Sequence, residues 1–252
     1  MQSTLENIHL NFERITPSQT SSETVLLFLH EALGSIGQWK DYPQMLCDAT
    51  GMQGLVYERQ GHGASTPLTE KRNQHYLHNY ALQELPSFLE QFDHDFILVG
   101  HSDGGTIALL YATQYPDRIK GIITMAAHMM NEPETVAGID PAVKAYEEGK
   151  LNGLVKYHGE KTEDLFFAWA NTWRAHFFAN WNIEAEIGHD SIPGFFIQGK
   201  DDQYGTDEQI KRICKRFPNN KSLLVEGCGH HPHLECKEEM IALQSEWIES
   251  IR

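Results

Sequence analysis

Cysteine is scarce in this sequence: Cys47, Cys214, Cys228 and Cys236 are the four in 252 residues. None forms a C-x-x-C pair, and so few thiols do not make the disulfide framework of a small secreted module. Free thiols in a reducing compartment are the expectation. Positive charge is also short. Lys and Arg number 20 against 35 Asp and Glu, for a formal charge of −15. Sequence-independent binding to DNA or RNA relies on cations that neutralise phosphates, so no nucleic-acid partner is expected, and an anionic membrane surface is disfavoured. The acidity fits solubility. Long apolar runs are missing too, and none approaches the roughly 20 residues of a membrane-spanning helix. The opening stretch MQSTLENIHLNFERITPSQ has no basic segment leading into an apolar core, so no signal peptide is expected, and a cytoplasmic location follows as the expectation. No internal repeat, low-complexity segment or Gly/Ser/Pro-rich linker divides the chain. Its length suits one large domain with a full core.

What is there is an alternation of two patterns. Near-continuous apolar runs, the mark of strands buried on both faces, occur at Val25 to Leu29, Gly54 to Tyr57, Phe96 to Val99, Gly121 to Met125, Gly194 to Ile197 and Ser222 to Val225. Helical stretches separate them: Tyr80 to Phe92, Thr106 to Tyr115 before Pro116, Glu208 to Phe217 before Pro218, and Lys237 to Ile251. Strand and helix in alternation predict an α/β fold with a mostly parallel central sheet flanked by helices. The alternation stops between about 127 and 192, where the aromatic run LFFAWANTWRAHFFANW stands. We expect a helical cap insertion at 127–192, set into a core formed by 1–126 and 193–252.

One stretch carries chemistry. In ILVGHSDGGTIALLYA, Gly100-His101-Ser102-Asp103-Gly104 fits G-x-S-x-G between a predicted strand and a predicted helix, which is the context the motif requires. Small residues two positions either side of the serine let a sharp turn form without backbone collision. Ser102 is then held at a helix N-terminus, where the dipole and free N–H groups favour developing negative charge. A serine hydroxyl needs a base, and the base an orienting acid, in the chain order serine, acid, histidine. GFFIQGKDDQYG places Asp201 and Asp202 just beyond a strand, and LLVEGCGHHPHLE places His230, His231 and His233 beyond another. Both sit where chemistry collects in parallel sheets, at the strands' carboxyl ends. The HHPH run has no Cys/His cluster of metal-site spacing nearby, so no metal is expected.

On these residues the chain resembles the α/β-hydrolase superfamily over essentially its whole length. The resemblance implies that the acid lies three residues after a strand-ending glycine, Gly199, and is therefore Asp202. It implies that the base is His230, because Gly229-His230-His231-Pro232-His233-Leu234-Glu235 matches G-H-x-P-H-x-E. The oxyanion donors should be the N–H of Asp103, which follows the nucleophile, and that of Ala32 in His30-Glu31-Ala32-Leu33-Gly34, which resembles the family's H-G-x-x-G loop. Glu31 stands where glycine is usual, which puts a carboxylate within reach of the pocket. Glu58-Arg59-Gln60-Gly61-His62-Gly63-Ala64-Ser65 resembles the D-x-R-G-x-G-x-S loop and reads as a supporting turn.

The implied activity is hydrolysis of small-molecule carboxylic esters through an acyl-enzyme, without metal or organic cofactor. The Ser-Asp-Gly-Gly run is similar to that of valacyclovir-hydrolase-like (biphenyl-hydrolase-like) members, in which the corresponding aspartate recognises an amino group. A preference for amino-acyl esters follows, with Asp103, Glu31, His128, Trp169 and Trp173 as candidate substrate contacts. Trp169 and Trp173 are four apart and share a helix face, and core packing is the simpler reading of both. Three rivals use the same fold: an esterase trimming methyl esters from an acyl-carrier conjugate, for which Lys144, Lys150, Lys156 and Arg174 would supply a docking patch; a carbon–carbon bond hydrolase; and a ligand-binding receptor that retains the triad. Oligomeric state is left open.

Overall fold

The computed structural model describes residues 8–252. Seven strands form one sheet: β1 (Phe12–Ile15), β2 (Val25–Leu29), β3 (Gln53–Tyr57), β4 (Phe96–His101), β5 (Ile119–Met125), β6 (Gly194–Gly199) and β7 (Asn220–Val225). Their order is β1-β3-β2-β4-β5-β6-β7. Strand β1 runs antiparallel to β3 and every other pairing is parallel. The predicted α/β class and mostly parallel sheet are both found.

Five of the six apolar runs expected as strands are buried on both faces; β7, at the sheet edge, is instead exposed at Lys221 and Ser222 and half-buried at Leu223 and Leu224. In β2, Val25, Leu27 and Leu29 join one hydrophobic cluster and Leu26 and Phe28 the other. Strand β4 divides in the same way, Phe96 and Leu98 against Ile97 and Val99. This is the period-2 side-chain alternation of a strand set between two helical layers.

Helices supply those layers. In chain order they are α1 (Tyr42–Thr50), α2 (Tyr76–Asn79), a π-helical turn (Tyr80–Glu84), α3 (Leu85–Leu89), α4 (Asp103–Gln114), α5 (Pro133–Glu147), α6 (Val155–His158), α7 (Thr162–Arg174), α8 (Asp207–Arg216), α9 (Pro232–Glu235) and α10 (Lys237–Ser250). Leu46 of α1 and Met240, Trp247 and Ile248 of α10 cover one face. Ile107 and Leu109 of α4, Leu85 and Phe88 of α3, and Ile210 and Ile213 of α8 cover the other. The stretch expected to begin at Tyr80 starts at Tyr76, and the π turn ends just before Pro86, whose ring lacks the N–H that a regular α-helix would use. Between β5 and β6 the chain is helical, with a single isolated bridge, Met130 to Asn182, among the described residues. Among those residues no helix is long and apolar enough to cross a membrane.

Candidate active site

The turn between β4 and α4 carries Ser102 with φ 53° and ψ −120°, a conformation that non-glycine residues adopt only where the surroundings enforce it. Two contacts enforce it here. The Ser102 N–H donates to Met125 O at 2.9 Å, and its carbonyl accepts the Thr106 N–H at 3.1 Å. The flanking glycines have no room for a side chain. A Cβ on Gly100 would lie 2.4 Å from Gly104 O, and one on Gly104 would lie 1.9 Å from Leu29 O. The spacing of small residues read from the sequence is thus a packing requirement between β4, α4 and the end of β2.

Asp202 and His230 come to the same place from beyond β6 and β7. Ser102 Oγ lies 3.0 Å from His230 Nε2. His230 Nδ1 lies 2.8 and 2.9 Å from the two Asp202 oxygens. Asp202 also accepts from Gln198 Nε2 at 2.6 Å and from the Tyr204 N–H at 2.8 Å. Burial pushes its carboxyl upward, but His230, His128 and the Tyr204 N–H together outweigh that and hold it below its ordinary value. The His230 carbonyl accepts from His101 Nε2 at 2.7 Å, which ties the histidine loop to the residue before the serine. Asp201 is exposed, and its side chain takes no part in this arrangement.

Ala32 and Asp103 line the same cavity as Ser102 and His230. Among the described residues neither backbone N–H has a hydrogen-bond acceptor. The neighbouring donors are already used: Leu33 N–H on Glu31 Oε2 at 2.6 Å and Gly34 N–H on Glu31 O at 3.1 Å. Glu31 does not need glycine's freedom, because its backbone lies outside the left-handed region. Buried Arg59 fixes the loop, donating to His30 O at 2.5 Å and Glu31 O at 2.8 Å. His158 of α6 donates to Leu33 O at 2.8 Å. The Glu31 carboxyl lines the cavity, and burial raises it above the ordinary range against the pull of the Leu33 N–H.

The cavity measures about 230 Å³. One wall is apolar, formed by Ile139, Ala142, Leu151, Leu154, Phe166 and Trp169. His128 and Trp173 line it as well, so all five candidate substrate contacts border the cavity. Trp169 and Trp173 also belong to the main hydrophobic cluster, so the core and pocket readings both describe them. His128 Nε2 donates to Tyr204 O at 2.8 Å, which leaves Nδ1 without a partner among the described residues. Asp103 accepts from Tyr76 O–H at 3.0 Å, and Tyr76 in turn accepts from Trp173 Nε1 at 2.8 Å. Tyr76, Tyr204, Gln198 and Gln38 had no motif to mark them. For Tyr204 its place two residues after Asp202 was the available signal.

Histidines gather around the site, and burial is the largest cause holding His30, His62, His101 and His233 well below the ordinary value of 6.5. Folded, they stay neutral; unfolded, they take up protons near pH 6.5. Stability is therefore fully present above that pH and falls as pH drops below it, by about 1 kcal/mol per pH unit for each histidine. Glu84, raised by burial to about 7, acts oppositely over this range, and Glu31, also raised by burial, acts in the same direction as Glu84. His128, His158 and His231 are lowered by burial as well, so the histidines outnumber the two carboxyls and the net effect is a loss of stability as pH falls below about 6. Denaturant midpoints at pH 7 and 5.5 check this, and an unchanged midpoint would contradict it.

Comparison with known proteins agrees with this architecture. Residues 26–243 match the model of the alpha/beta hydrolase family. The chain is similar to the proline iminopeptidase of Saccharolobus solfataricus, at 31% identity over 97% of this chain and 90% of that one. It is similar to the proline iminopeptidase of Lactobacillus delbrueckii subsp. bulgaricus, at 23% identity over 91% of each. A carboxylesterase structure from Nitrososphaera gargenis superposes with TM-score 0.76 at 19% identity, covering 100% of this chain and 98% of that one, a likeness of fold. A serine on a strained turn between the middle strand and its following helix is where such a sheet puts its chemistry, and with a family model spanning nearly all of it, this chain belongs to the alpha/beta hydrolase family.

Proposed function

We propose that the protein is a serine hydrolase that cleaves carboxylic esters of small molecules through Ser102, His230 and Asp202. The observation that carries this reading is the unbroken run of hydrogen bonds from Ser102 Oγ through the His230 ring to Asp202. Ser102 Oγ attacks the carbonyl carbon while His230 Nε2 takes its proton, and Asp202 fixes the imidazole tautomer and stabilises its charged form. The N–H groups of Ala32 and Asp103 hold the oxyanion. The tetrahedral species collapses, the alcohol leaves with the proton from His230, and a water activated by the same ring cleaves the acyl-enzyme. This chemistry draws on no metal or organic cofactor. In this reading residues 127–192 act as a cap over a core of 1–126 and 193–252, and the apolar wall from α5 to α7 receives the acyl chain.

Charge within the cavity supports a preference among acyl groups. Glu31 and Asp103 both line it, and none of the described lining residues is lysine or arginine. An acyl group bearing a carboxylate meets no cation on the cavity wall, the buried Arg72 guanidinium being set behind Tyr76, which weighs against a dicarboxylate methyl ester and against an acidic diketone. An amino-acyl group is favoured. The test is a panel sharing one alcohol: plain short and medium acyl esters, a dicarboxylic acid methyl ester, an α-amino-acyl ester and its amide. Turnover of esters is the expected result, and a well-folded protein that hydrolyses none would overturn the reading. Asp103→Asn, which keeps the backbone N–H, is expected to cut the amino-acyl preference in kcat/KM by on the order of ten- to a hundredfold. A preference untouched by that change would show that Asp103 serves only Tyr76.

A further inference from the structure

His158 ends α6, does not line the cavity, and is 3% exposed, yet both of its ring nitrogens are engaged. Nδ1 accepts the Gly63 N–H at 3.0 Å. That places the ring proton on Nε2, which donates to Leu33 O at 2.8 Å. Burial holds the imidazole below its ordinary value, so at pH 7 it is neutral and keeps this state of one donor and one acceptor. Two loops that the sequence keeps apart, 30–34 and 58–65, thus meet on one side chain. Among the described residues the Leu33 carbonyl has no other donor.

The hydrogen bonds continue past that carbonyl. Leu33 C=O and Gly34 N–H are the two ends of one peptide unit, and the Gly34 N–H donates to Glu31 O at 3.1 Å. Glu31 C=O and Ala32 N–H are likewise the two ends of one unit. The Ala32 N–H has no acceptor among the described residues, and Ala32 borders the cavity with Ser102. An ordered line runs from the Gly63 N–H through the imidazole and two peptide units to the donor beside the serine. Arg59 and His62 hold the loop from its other side, Arg59 on His30 O and Glu31 O at 2.5 and 2.8 Å and His62 Nε2 on Ala32 O at 3.0 Å.

We propose that His158 is a positioning residue for the oxyanion site, orienting and polarising the Ala32 N–H through the Leu33–Gly34 and Glu31–Ala32 peptide units. The proposal rests on the serine-hydrolase reading given above. In a line of hydrogen-bonded amides, a bond accepted at one end of a unit strengthens the donor at its other end. The gain is largest when the Ala32 N–H faces full negative charge, which exists only after Ser102 has attacked. His158 therefore acts on kcat and leaves KM nearly alone. It also gives the 58–65 turn a task beyond support, since Gly63 sets the tautomer on which the line depends. In the reading of 127–192 as a cap, the site is complete only while α6 is seated on both loops.

The experiment uses propyl butyrate and the full-length protein. His158→Phe keeps a ring and removes both nitrogens. His158→Asn keeps an acceptor near the place of Nδ1 and loses the reach to Leu33 O, and so tests the same bond should the phenylalanine variant fail to fold. His158→Gln carries an acceptor and a donor on one amide, as the imidazole does. Tyr157→Phe removes the neighbouring bond to Lys40 Nζ and leaves the line intact. Loss of a direct oxyanion donor costs about 10²- to 10³-fold in kcat. One step removed, His158→Phe and His158→Asn are expected to lose about ten- to thirtyfold in kcat with KM changed by no more than about twofold. His158→Gln should recover most of that loss, and Tyr157→Phe should show none. Butylboronic acid, which adds to a serine and sets an oxygen where the oxyanion forms, should inhibit the first two variants more weakly by the factor lost in kcat. A kcat within about twofold of wild type in a folded His158→Phe or His158→Asn, an equal loss in Tyr157→Phe, or boronate inhibition that keeps its wild-type strength would overturn the role. A wild type that neither hydrolyses the ester nor binds the boronic acid would instead overturn the hydrolase reading, and this role with it.

Discussion

Ser102→Ala is expected to lower kcat on any ester the protein turns over by about 10⁴- to 10⁶-fold, with no loss of thermal stability. The size follows from the role assigned to the hydroxyl. In the proposed mechanism it is the atom that forms the covalent bond, and neither His230 nor the oxyanion donors can replace it. Because the three residues act as a unit, His230→Ala should be nearly as damaging, and the double variant little worse than either single one. Asp202→Asn should cost about 10⁴-fold, since an amide no longer imposes the imidazole tautomer that leaves Nε2 free to accept from serine. An organophosphonate should label the wild type on the peptide that contains Ser102 and leave Ser102→Ala unlabelled. Turnover that survives Ser102→Ala would remove the serine from the mechanism. Stability should be unaffected because Ser102 sits in a strained backbone conformation held by N–H and carbonyl contacts that alanine retains.

Gly104→Ala is the second large expected effect, and it falls on folding before catalysis. The added methyl would lie 1.9 Å from Leu29 O, 2.4 Å from Leu29 C and 2.6 Å from His30 O. All of these are main-chain atoms that cannot turn aside as a side chain would. Either α4 moves off the sheet or the end of β2 is displaced. We expect a loss of more than about 4 kcal/mol, corresponding to roughly 10 °C in Tm for a chain of this size. Any folded fraction should also be a poor catalyst, because the displaced segment leads directly into the loop carrying Ala32. Gly153→Ala is the control: no atom lies within 4 Å of its added Cβ, so a Tm shift of no more than a degree or two is expected. Equal behaviour of the two variants would contradict the packing argument.

The parts legible in the sequence are those in which one short segment encodes both its conformation and its neighbours. Phe96 to Gln114 is such a segment: an apolar strand, glycines at the two positions that meet backbone, and a helix that begins at the residue after the serine. Asp202 was singled out by Gly199, which ends β6, and His230 by the match to G-H-x-P-H-x-E, both through the family resemblance and in the expected chain order. Strand β1 was not. Phe12–Ile15 is FERI, half-exposed at a sheet edge with two charged residues outward, and four residues of that composition do not stand out from a loop. The surroundings of Asp103 were equally hidden. Its partner Tyr76 stands 27 residues earlier in the sequence, and Trp173, which bonds Tyr76, stands 97 residues after Tyr76. Such pairings are decided by how the layers stack, and no local pattern announces them. The stretch of cavity wall formed by Glu31, Gln38 and His231 is similar, being assembled from segments that the sequence separates by up to 200 positions.

Tyr76 links Asp103, the residue beside Ser102, to the Trp173 indole of α7, which lines the same cavity. A ligand that draws the Asp103 carboxylate toward itself weakens the phenol's hold on one end of this relay, and the other end is a chromophore. Trp173 emission responds to the polarity and hydrogen bonding of its ring nitrogen, so occupancy should alter the protein's own fluorescence without any added label. Tyr76→Phe would cut the relay and silence that response, while the carboxylate and the indole both stay where they are.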